Sequence, residues 1–267
     1  MIKRIFSKKN RVLLVELVRT DFKLRYQGSA LGYIWSLLRP LLMFLILYVV
    51  FVKFLKLGTG IPHYPVYLLL GIVMWNFFVE MTMQSLGSIV GRGDLIRKIR
   101  IPRWIIVLST SFSALINLVL NLIVVGVFMI INHVSLGGSA IWFPLILLEI
   151  YVFALGLSLF LSATYVKFRD ISYIWEVLLQ AGFYLTPIIY ALSRITNITL
   201  QKLILLNPMA QAIQDARYIL ITHQTMTIYK RFNGGWYEFI PFIILVVVIF
   251  IGVNHFRKQS KYFAENI

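Results

Sequence analysis

The chain has 267 residues, of which 60% are hydrophobic and 13% are charged. A soluble domain usually carries about twice that charged share, and the apolar residues here come in runs of roughly 20. This pattern excludes an ordinary soluble domain and indicates a helical membrane protein. The formal net charge of +16 is better explained by loops near anionic lipid than by nucleic acid binding. Because the chain has no cysteine, disulfides and thiolate metal sites are excluded.

The first element in chain order is an amphipathic helix over residues 11–27. Its pattern places Glu16, Arg19 and Lys23 on one face and aliphatic and aromatic side chains on the other. A basic face opposite an apolar face is typical of a helix that lies in the membrane interface. No apolar segment directly follows the basic start of the chain, so we expect this region to remain in the mature protein. We therefore predict a cytoplasmic interface helix in residues 1–29 and one transmembrane domain in residues 30–267.

Six apolar runs follow, each long enough to cross a bilayer. The predicted spans are about 32–54, 65–89, 105–131, 143–166, 173–192 and 237–256. A semi-apolar region before the last span is interrupted by Pro208, which predicts a re-entrant or interfacial helix pair. The predicted fold class is therefore an all-α integral membrane protein with six transmembrane helices after an amphipathic interface helix.

The distribution of basic residues predicts the orientation. With the N-terminus inside, the inner segments hold 18 of the 26 Lys and Arg residues and the outer segments hold 7. This bias places both termini in the cytoplasm. Two inner segments carry distinct patterns. The stretch GRGDLIRKIRIPR at 91–103 predicts a short amphipathic helix that ends at Pro102, and residues 167–170 predict a tight charged turn.

Catalytic signatures are lacking in the sequence. No GxxxxGK[ST] phosphate loop occurs, so the chain has no visible means of hydrolysing ATP. The four histidines lie near span ends or in loops, and their spacing argues against haem or zinc ligation. We therefore predict neither catalytic residues nor a metal site.

A few polar residues lie at membrane depth. Glu80 and Glu149 fall inside spans, and an intramembrane carboxylate is a functional candidate by default. Arg39, beside Pro40, would face lipid headgroups or a polar cavity. Asn117 and Asn121, one turn apart, favour hydrogen bonds between helices. The aromatic residues near the outer span ends form either an interfacial belt or a pore lining that stacks on sugar rings.

Five stretches in a fixed order resemble a known family. They are RTDFKLRYQGSALGYIW at 20–36, YLLLGIVMWNFF at 67–78, GDLIRKIRIPR at 93–103, KFRDISYIWEVLLQAGFYLTPIIY at 167–190 and LNPMAQAIQDAR at 206–217. With them the chain resembles the membrane subunit of ABC-2 type exporters of cell-surface polysaccharides and polyol phosphates. That family includes the O-antigen, capsule and teichoic-acid permeases.

The resemblance implies a homodimer in the bacterial cytoplasmic membrane that pairs with two separate ABC ATPase subunits. ATP and Mg²⁺ would bind to those subunits, whereas this chain would hold no cofactor. Its substrate would be a lipid-linked glycan. A coupling role in a cleft of the ATPase is implied for Asp94, Leu95, Ile96, Arg97, Lys98, Ile99, Arg100, Lys167, Arg169 and Asp170. Candidates for binding the substrate headgroup or lining the pore are Arg25, Arg39, Glu80, Tyr184 and Tyr190.

Two other functions stay open at this point. A proton-coupled secondary transporter would explain Glu80 and Glu149, although the sequence lacks the internal repeat that such folds usually show. A membrane-embedded glycosyl- or acyltransferase would need a cluster of catalytic acids or histidines at one membrane face, and the sequence shows none.

Overall fold

The computed structural model of the chain describes residues 8–26, 32, 34–56, 58, 60–98 and 101–266. Within these ranges the regular secondary structure is helical. The α-helices are α1 Lys8–Tyr26, α2 Ile34–Leu47, α3 Tyr64–Ser88, α4 Gly93–Lys98, α5 Trp104–Ile131, α6 Phe143–Lys167, α7 Ile171–Leu185, α8 Ile198–Leu205, α9 Pro208–Leu220, α10 Ile228–Phe232, α11 Ile240–Gln259 and α12 Phe263–Asn266. A π-helical segment, Tyr48–Phe54, extends α2, and short 3₁₀ turns precede α4, α6 and α11.

Five helical stretches among the described residues are long and apolar enough to cross a membrane. They are Ile34–Phe54, Tyr64–Ser88, Trp104–Ile131, Gly138–Lys167 and Trp236–Tyr262. These stretches correspond to the first four predicted spans and the last one. The chain is therefore an all-α, multi-pass membrane protein, as its hydropathy predicts.

The fifth predicted span, 173–192, has a different form. Helix α7 has 15 residues and is about 22 Å long, which is shorter than a hydrocarbon core of roughly 30 Å. The chain leaves the helix at Thr186, whose φ of −83° and ψ of 135° are extended. Pro187 follows, and a residue before proline is disfavoured in the helical region. The count of six spans therefore stays a prediction.

The semi-apolar region before the last span forms two short helices, α8 and α9. Each begins with an asparagine cap: Asn197 Oδ1 accepts from the Thr199 amide at 2.9 Å, and Asn207 Oδ1 accepts from the Met209 amide at 3.0 Å. Pro208 takes the first position of α9, where its missing N–H costs nothing. The sequence correctly predicts a broken helix pair here, and the membrane depth of the pair stays a prediction.

Helix α3 is the centre of the bundle, with 78% of its apolar window buried. It packs against α5, α6 and α9. Helices α6 and α11 cross closely, because both have glycine at the crossing. A Cβ on Gly156 would lie 2.8 Å from the Ile249 Cα, and a Cβ on Gly252 would overlap the Gly156 carbonyl. Small residues allow membrane helices to approach in this way.

Helix α1 confirms the predicted N-terminal helix and packs along α5. Its contact with α5 brings Asp21 close to residues of two other elements. Val12 and Val15 are 58% and 56% exposed on α1, so part of its apolar surface is free of contacts within the chain. Such a surface is suited to lipid.

Candidate functional site

At two junctions, one near each end of α3, an arginine connects several elements of the chain. The α4 junction consists of α4 and the residues that contact it or the turn before it. The Arg217 junction consists of Arg217 and the backbone groups that surround it near the start of α3. Because α3 has 25 residues, the two junctions lie on opposite sides of the bundle, about 37 Å apart along its axis.

Helix α4 follows α3 after a single 3₁₀ turn, Val90–Arg92. It covers Gly93–Lys98 and is shorter than the predicted helix, while Ile99 and Arg100 lie outside the described residues. Pro102 then precedes the start of α5 at Trp104. A short helix connecting two spans is confirmed at the predicted position.

The two faces of α4 have opposite character. Ile96 is 8% exposed and packs into an apolar cluster of the chain itself. Other members of that cluster are Ile89, Ile106, Val107, Leu159, Phe256 and Phe263. The outward face is exposed and charged, and it carries Asp94, Arg97 and Lys98, with Leu95 half-buried. The side chain of Ile96 therefore packs against the bundle and does not face outward, and its coupling role stays a prediction.

Arg92, directly before α4, connects three elements. Its Nη1 donates to Ser109 Oγ of α5 at 2.9 Å, and its Nη2 donates to the carboxylate of Asp21 on α1. These two side chains form an ion pair. Ser109 is fully buried, and its hydroxyl lies 2.8 Å from the Ile106 carbonyl and 3.3 Å from Asp21 Oδ2. Helix α1 is thus connected to the residue that precedes α4.

The predicted charged turn lies at the same end of the bundle. Lys167, Arg169 and Asp170 are all exposed at the junction of α6 and α7. The Arg169 guanidinium lies 5.0 Å from the Tyr165 ring centre, within the range of a cation–π contact. Helix α12 contacts both α4 and α6. The two predicted coupling segments therefore share one surface of the molecule.

At the opposite end, Arg217 of α9 is completely buried. Its Nε donates to the Tyr67 carbonyl at 3.0 Å, its Nη1 to the Pro187 carbonyl at 2.5 Å, and its Nη2 to the Ile188 carbonyl at 2.7 Å. Pro187 and Ile188 lie where α7 has ended. Irregular backbone at membrane depth is tolerated when its polar groups are satisfied by protein. Arg217 provides that satisfaction and joins α3, α9 and the end of α7.

Two neighbours shape the space around Arg217. The guanidinium carbon lies 3.6 Å from the ring centre of Tyr67, and the Tyr67 hydroxyl is 3.2 Å from Gln214 Oε1. A Cβ on Gly71 would overlap the guanidinium, so glycine there permits the close approach. The charge is therefore enclosed by an aromatic face and by carbonyl oxygens.

The two predicted pore tyrosines come together at the C-terminal end of α7, where Tyr184 lies in the last turn and Tyr190 follows the helix. Tyr184 is 65% exposed, and its carbonyl lies 3.1 Å from the hydroxyl of Tyr190. The same hydroxyl lies 3.3 Å from the Leu185 carbonyl. Tyr190 thus caps the last carbonyls of α7, whereas the Tyr184 side chain is available to a ligand or partner. The pore-lining role of both residues stays a prediction.

The intramembrane carboxylates are engaged with amides. Glu80 Oε1 accepts from Gln84 Nε2 at 2.8 Å and from Asn117 Nδ2 of α5. Asn121 donates to the Ser36 carbonyl of α2 at 3.3 Å. These contacts confirm that Asn117 and Asn121 bond between helices. They also indicate that Glu80 links α3 to α5.

Glu149 on α6 lies where α6 packs against α9, which carries a second carboxyl, Asp215. Gln211 of α9 donates to Asp215 Oδ2 at 2.5 Å. This packing joins α9 to α6.

The two arginines predicted to bind the substrate headgroup lie on α1 and α2. Arg39 lies in the second turn of α2 with an exposed side chain, and Pro40 beside it is buried. Arg25 lies in the last turn of α1, and its side chain is outside the described residues. Their role in headgroup binding stays a prediction.

Sequence reasoning assigned no role to Asp21, Arg92 or Arg217. All three fall within or next to the stretches that resemble the exporter family, but an isolated charge in a basic chain is normally a solvated one. The available signal for Arg217 was its position in an otherwise apolar, broken segment, because a buried charge needs hydrogen-bond partners.

The sequence profile of the ABC-2 type transporter family matches residues 12–221, which include α4 and the whole Arg217 junction. The chain belongs to that family and is a membrane permease. An O-antigen export system permease protein, RfbA, of Myxococcus xanthus is 32% identical over 262 residues, which cover 96% of each chain. A protein of the same name from Klebsiella pneumoniae is 30% identical over 257 residues, which cover 95% of this chain and 94% of the relative.

Proposed function

We propose that the chain is the permease subunit of an ABC exporter that moves lipid-linked cell-surface polysaccharide across the bacterial cytoplasmic membrane. The observation that carries this proposal is the similarity over nearly the whole length to two O-antigen export permeases. Among the polymers suggested by the sequence, these relatives favour O-antigen over capsule and teichoic acid. ATP is hydrolysed with Mg²⁺ on a separate ABC ATPase subunit.

The α4 junction supports the coupling part of the proposal. A docking element needs an exposed surface that a partner can bind. It also needs a buried face that keeps it packed against the bundle when the partner moves. The exposed side chains of Asp94, Arg97 and Lys98 provide the first, and buried Ile96 provides the second. The ATPase subunit binds this charged surface, with the exposed turn at Lys167 and Arg169 as a second contact. Both termini then lie in the cytoplasm.

Helix α7 supports pairing of two copies. It is too short to span the membrane alone, and it exposes an apolar and aromatic face on which Val177 is 64% and Tyr184 is 65% exposed. A long polymer needs a continuous path, and two such faces enclose one between the subunits. In this arrangement Arg39 and Arg25 capture the anionic headgroup of the lipid carrier.

Co-purification with an ABC ATPase of the polysaccharide-export type from the same bacterium tests the docking surface. We expect the pair Arg97→Glu and Lys98→Glu to lower recovery of the ATPase about tenfold, which corresponds to a loss of about 1.4 kcal/mol. The matched control is Lys258→Glu with Lys261→Glu, which reverses two exposed charges near α12. Equal recovery with both pairs would show that α4 is not the docking surface.

A further inference from the structure

We propose that Asp21 and Arg92 are positioning residues that make the interface helix α1 move together with α4 during the ATP cycle. This inference rests on the proposed function, because it assumes that a partner ATPase pushes on α4. It adds a path by which the displacement of α4 is transmitted to α1. The path passes through side chains rather than only along the backbone into α3 and α5.

The direction of the Arg92 side chain is the first support. Arg92 is the residue immediately before α4, so it shares any displacement of that helix. Its guanidinium reaches Ser109 and Asp21 and lies 3.4 Å from the Ile106 carbonyl. It therefore extends to α1 and to the beginning of α5, away from a role in binding the ATPase.

The enclosure of the ion pair is the second support. The side chains of Arg92 and Asp21 are only 18% and 21% exposed, so water and salt screen their attraction less than on an open surface. Hydrogen bonds between two charged groups are shorter and more directional than neutral ones. Ser109 is fully buried between them and fixes the geometry on the α5 side. Such a junction transmits displacement better than a flexible surface pair.

The connection between α4 and α5 is also fixed to the bundle near the start of α5. Arg103, just before α5, donates to the carbonyl of Ser260. Phe263 is 1% exposed, packs in the cluster with Ile96, and begins a helix that contacts α4. With both ends anchored, α4 moves as a unit instead of bending at its ends. Arg92 is the anchor that leads to the interface helix.

The closing experiment uses the full complex of this chain and its ATPase subunits in proteoliposomes. We would measure lipid-linked polysaccharide transported and ATP hydrolysed, together with complex recovery and the melting temperature. The variants are Asp21→Asn, Arg92→Gln and both together. Matched controls are Glu16→Gln and Arg11→Gln, which change exposed residues of α1 in the same way.

We expect each single variant to lower transport per ATP about fivefold, which corresponds to a coupling free energy of about 1 kcal/mol. The double variant should lose no more than either single variant, because the two residues act as one unit. Complex recovery should be unchanged, which separates transmission from docking. Arg92→Lys should fall between the wild type and Arg92→Gln, because lysine keeps the charge but not the forked geometry.

Three results would overturn the inference: transport per ATP equal to that of the controls, additive losses in the double variant, or loss of the complex with normal transport per remaining complex. A wild-type complex that hydrolyses ATP without transporting glycan would instead contradict the proposed function. The two failures are therefore distinguishable.

Discussion

The Arg217 junction and the α4 junction both depend on an arginine that connects three elements, but the partners of the two arginines differ. Arg217 is completely buried and donates to backbone carbonyls of Tyr67, Pro187 and Ile188. Arg92 remains 18% exposed and bonds a carboxylate, a hydroxyl and a carbonyl. Backbone acceptors move only with the chain that carries them, whereas a side-chain pair can also be broken and remade by a change of rotamer. The first junction therefore fixes the fold, and the second connects moving parts.

The largest expected effect is on stability at the Arg217 junction. Arg217→Met should lower the free energy of unfolding by about 4 kcal/mol, because it leaves several buried carbonyls without a donor. Thermal unfolding in detergent measures this, with Arg19→Met on the exposed face of α1 as the control. A loss no larger than that of the control would break the distinction between a fixed and a movable junction.

The next largest effect on stability is expected where α4 packs against the C-terminal segment. Phe263→Ala should destabilise the chain by about 3 kcal/mol, since it empties a nearly fully buried aromatic site between α4 and the end of α11. Tyr262→Ala, which removes a side chain that is 53% exposed, should change the melting temperature far less. Similar melting temperatures for the two variants would mean that the C-terminal segment does not support α4.

A smaller effect on the free energy of unfolding is expected where α6 crosses α11, between the two junctions. Gly252→Ala should cost about 2 kcal/mol, because its Cβ would overlap the Gly156 carbonyl and force the helices apart. Gly126→Ala, at a helix position where a Cβ meets nothing, should be neutral or stabilising by up to about 1 kcal/mol. Unfolding titrations of both variants compare the two positions. Equal free energies of unfolding for the two variants would contradict the close crossing of α6 and α11.

The smallest effect on stability is expected at the Asp21–Arg92 pair. Asp21→Asn should change the free energy of unfolding by about 1 kcal/mol or less, in line with a partly exposed ion pair. A loss comparable to that of Arg217→Met would show that the α4 junction is also a fixed part of the fold. Thermal melting of the two variants side by side makes this comparison.

A separate test addresses the exposed face of α7. Because the chain has no cysteine, Val177→Cys introduces a single thiol on that face, which is 64% exposed at this position. If two copies meet there, a short bismaleimide should cross-link them in native membranes. Ile123→Cys on α5, 60% exposed, provides a comparable apolar site. Cross-linking at residue 123 and none at residue 177 would contradict pairing through α7.

The sequence predicted the spans well, because continuous apolar runs leave few alternatives. The predicted spans 65–89 and 105–131 agree with α3 and α5 to within one residue. The predicted span 173–192 was less accurate, since hydropathy alone does not register that Pro187 ends the helix. Its apolar residues continue past the break.

The candidate site was predictable only in part. The position of α4 follows from its pattern, but a helix of six residues has too few turns to show which face is buried. The pattern therefore does not reveal that the Ile96 side chain packs against the bundle. The role of Arg217 could not be read from the sequence, because its acceptors at Pro187 and Tyr67 are 30 and 150 residues away along the chain.

Transport in proteoliposomes tests the central claim most directly. Vesicles would contain this chain with or without its ATPase subunits, and lipid-linked polysaccharide crossing the bilayer would be measured with ATP or with a proton gradient. We expect transport only when the ATPase subunits and ATP are both present. Transport by this chain alone, driven by the proton gradient, would contradict the account.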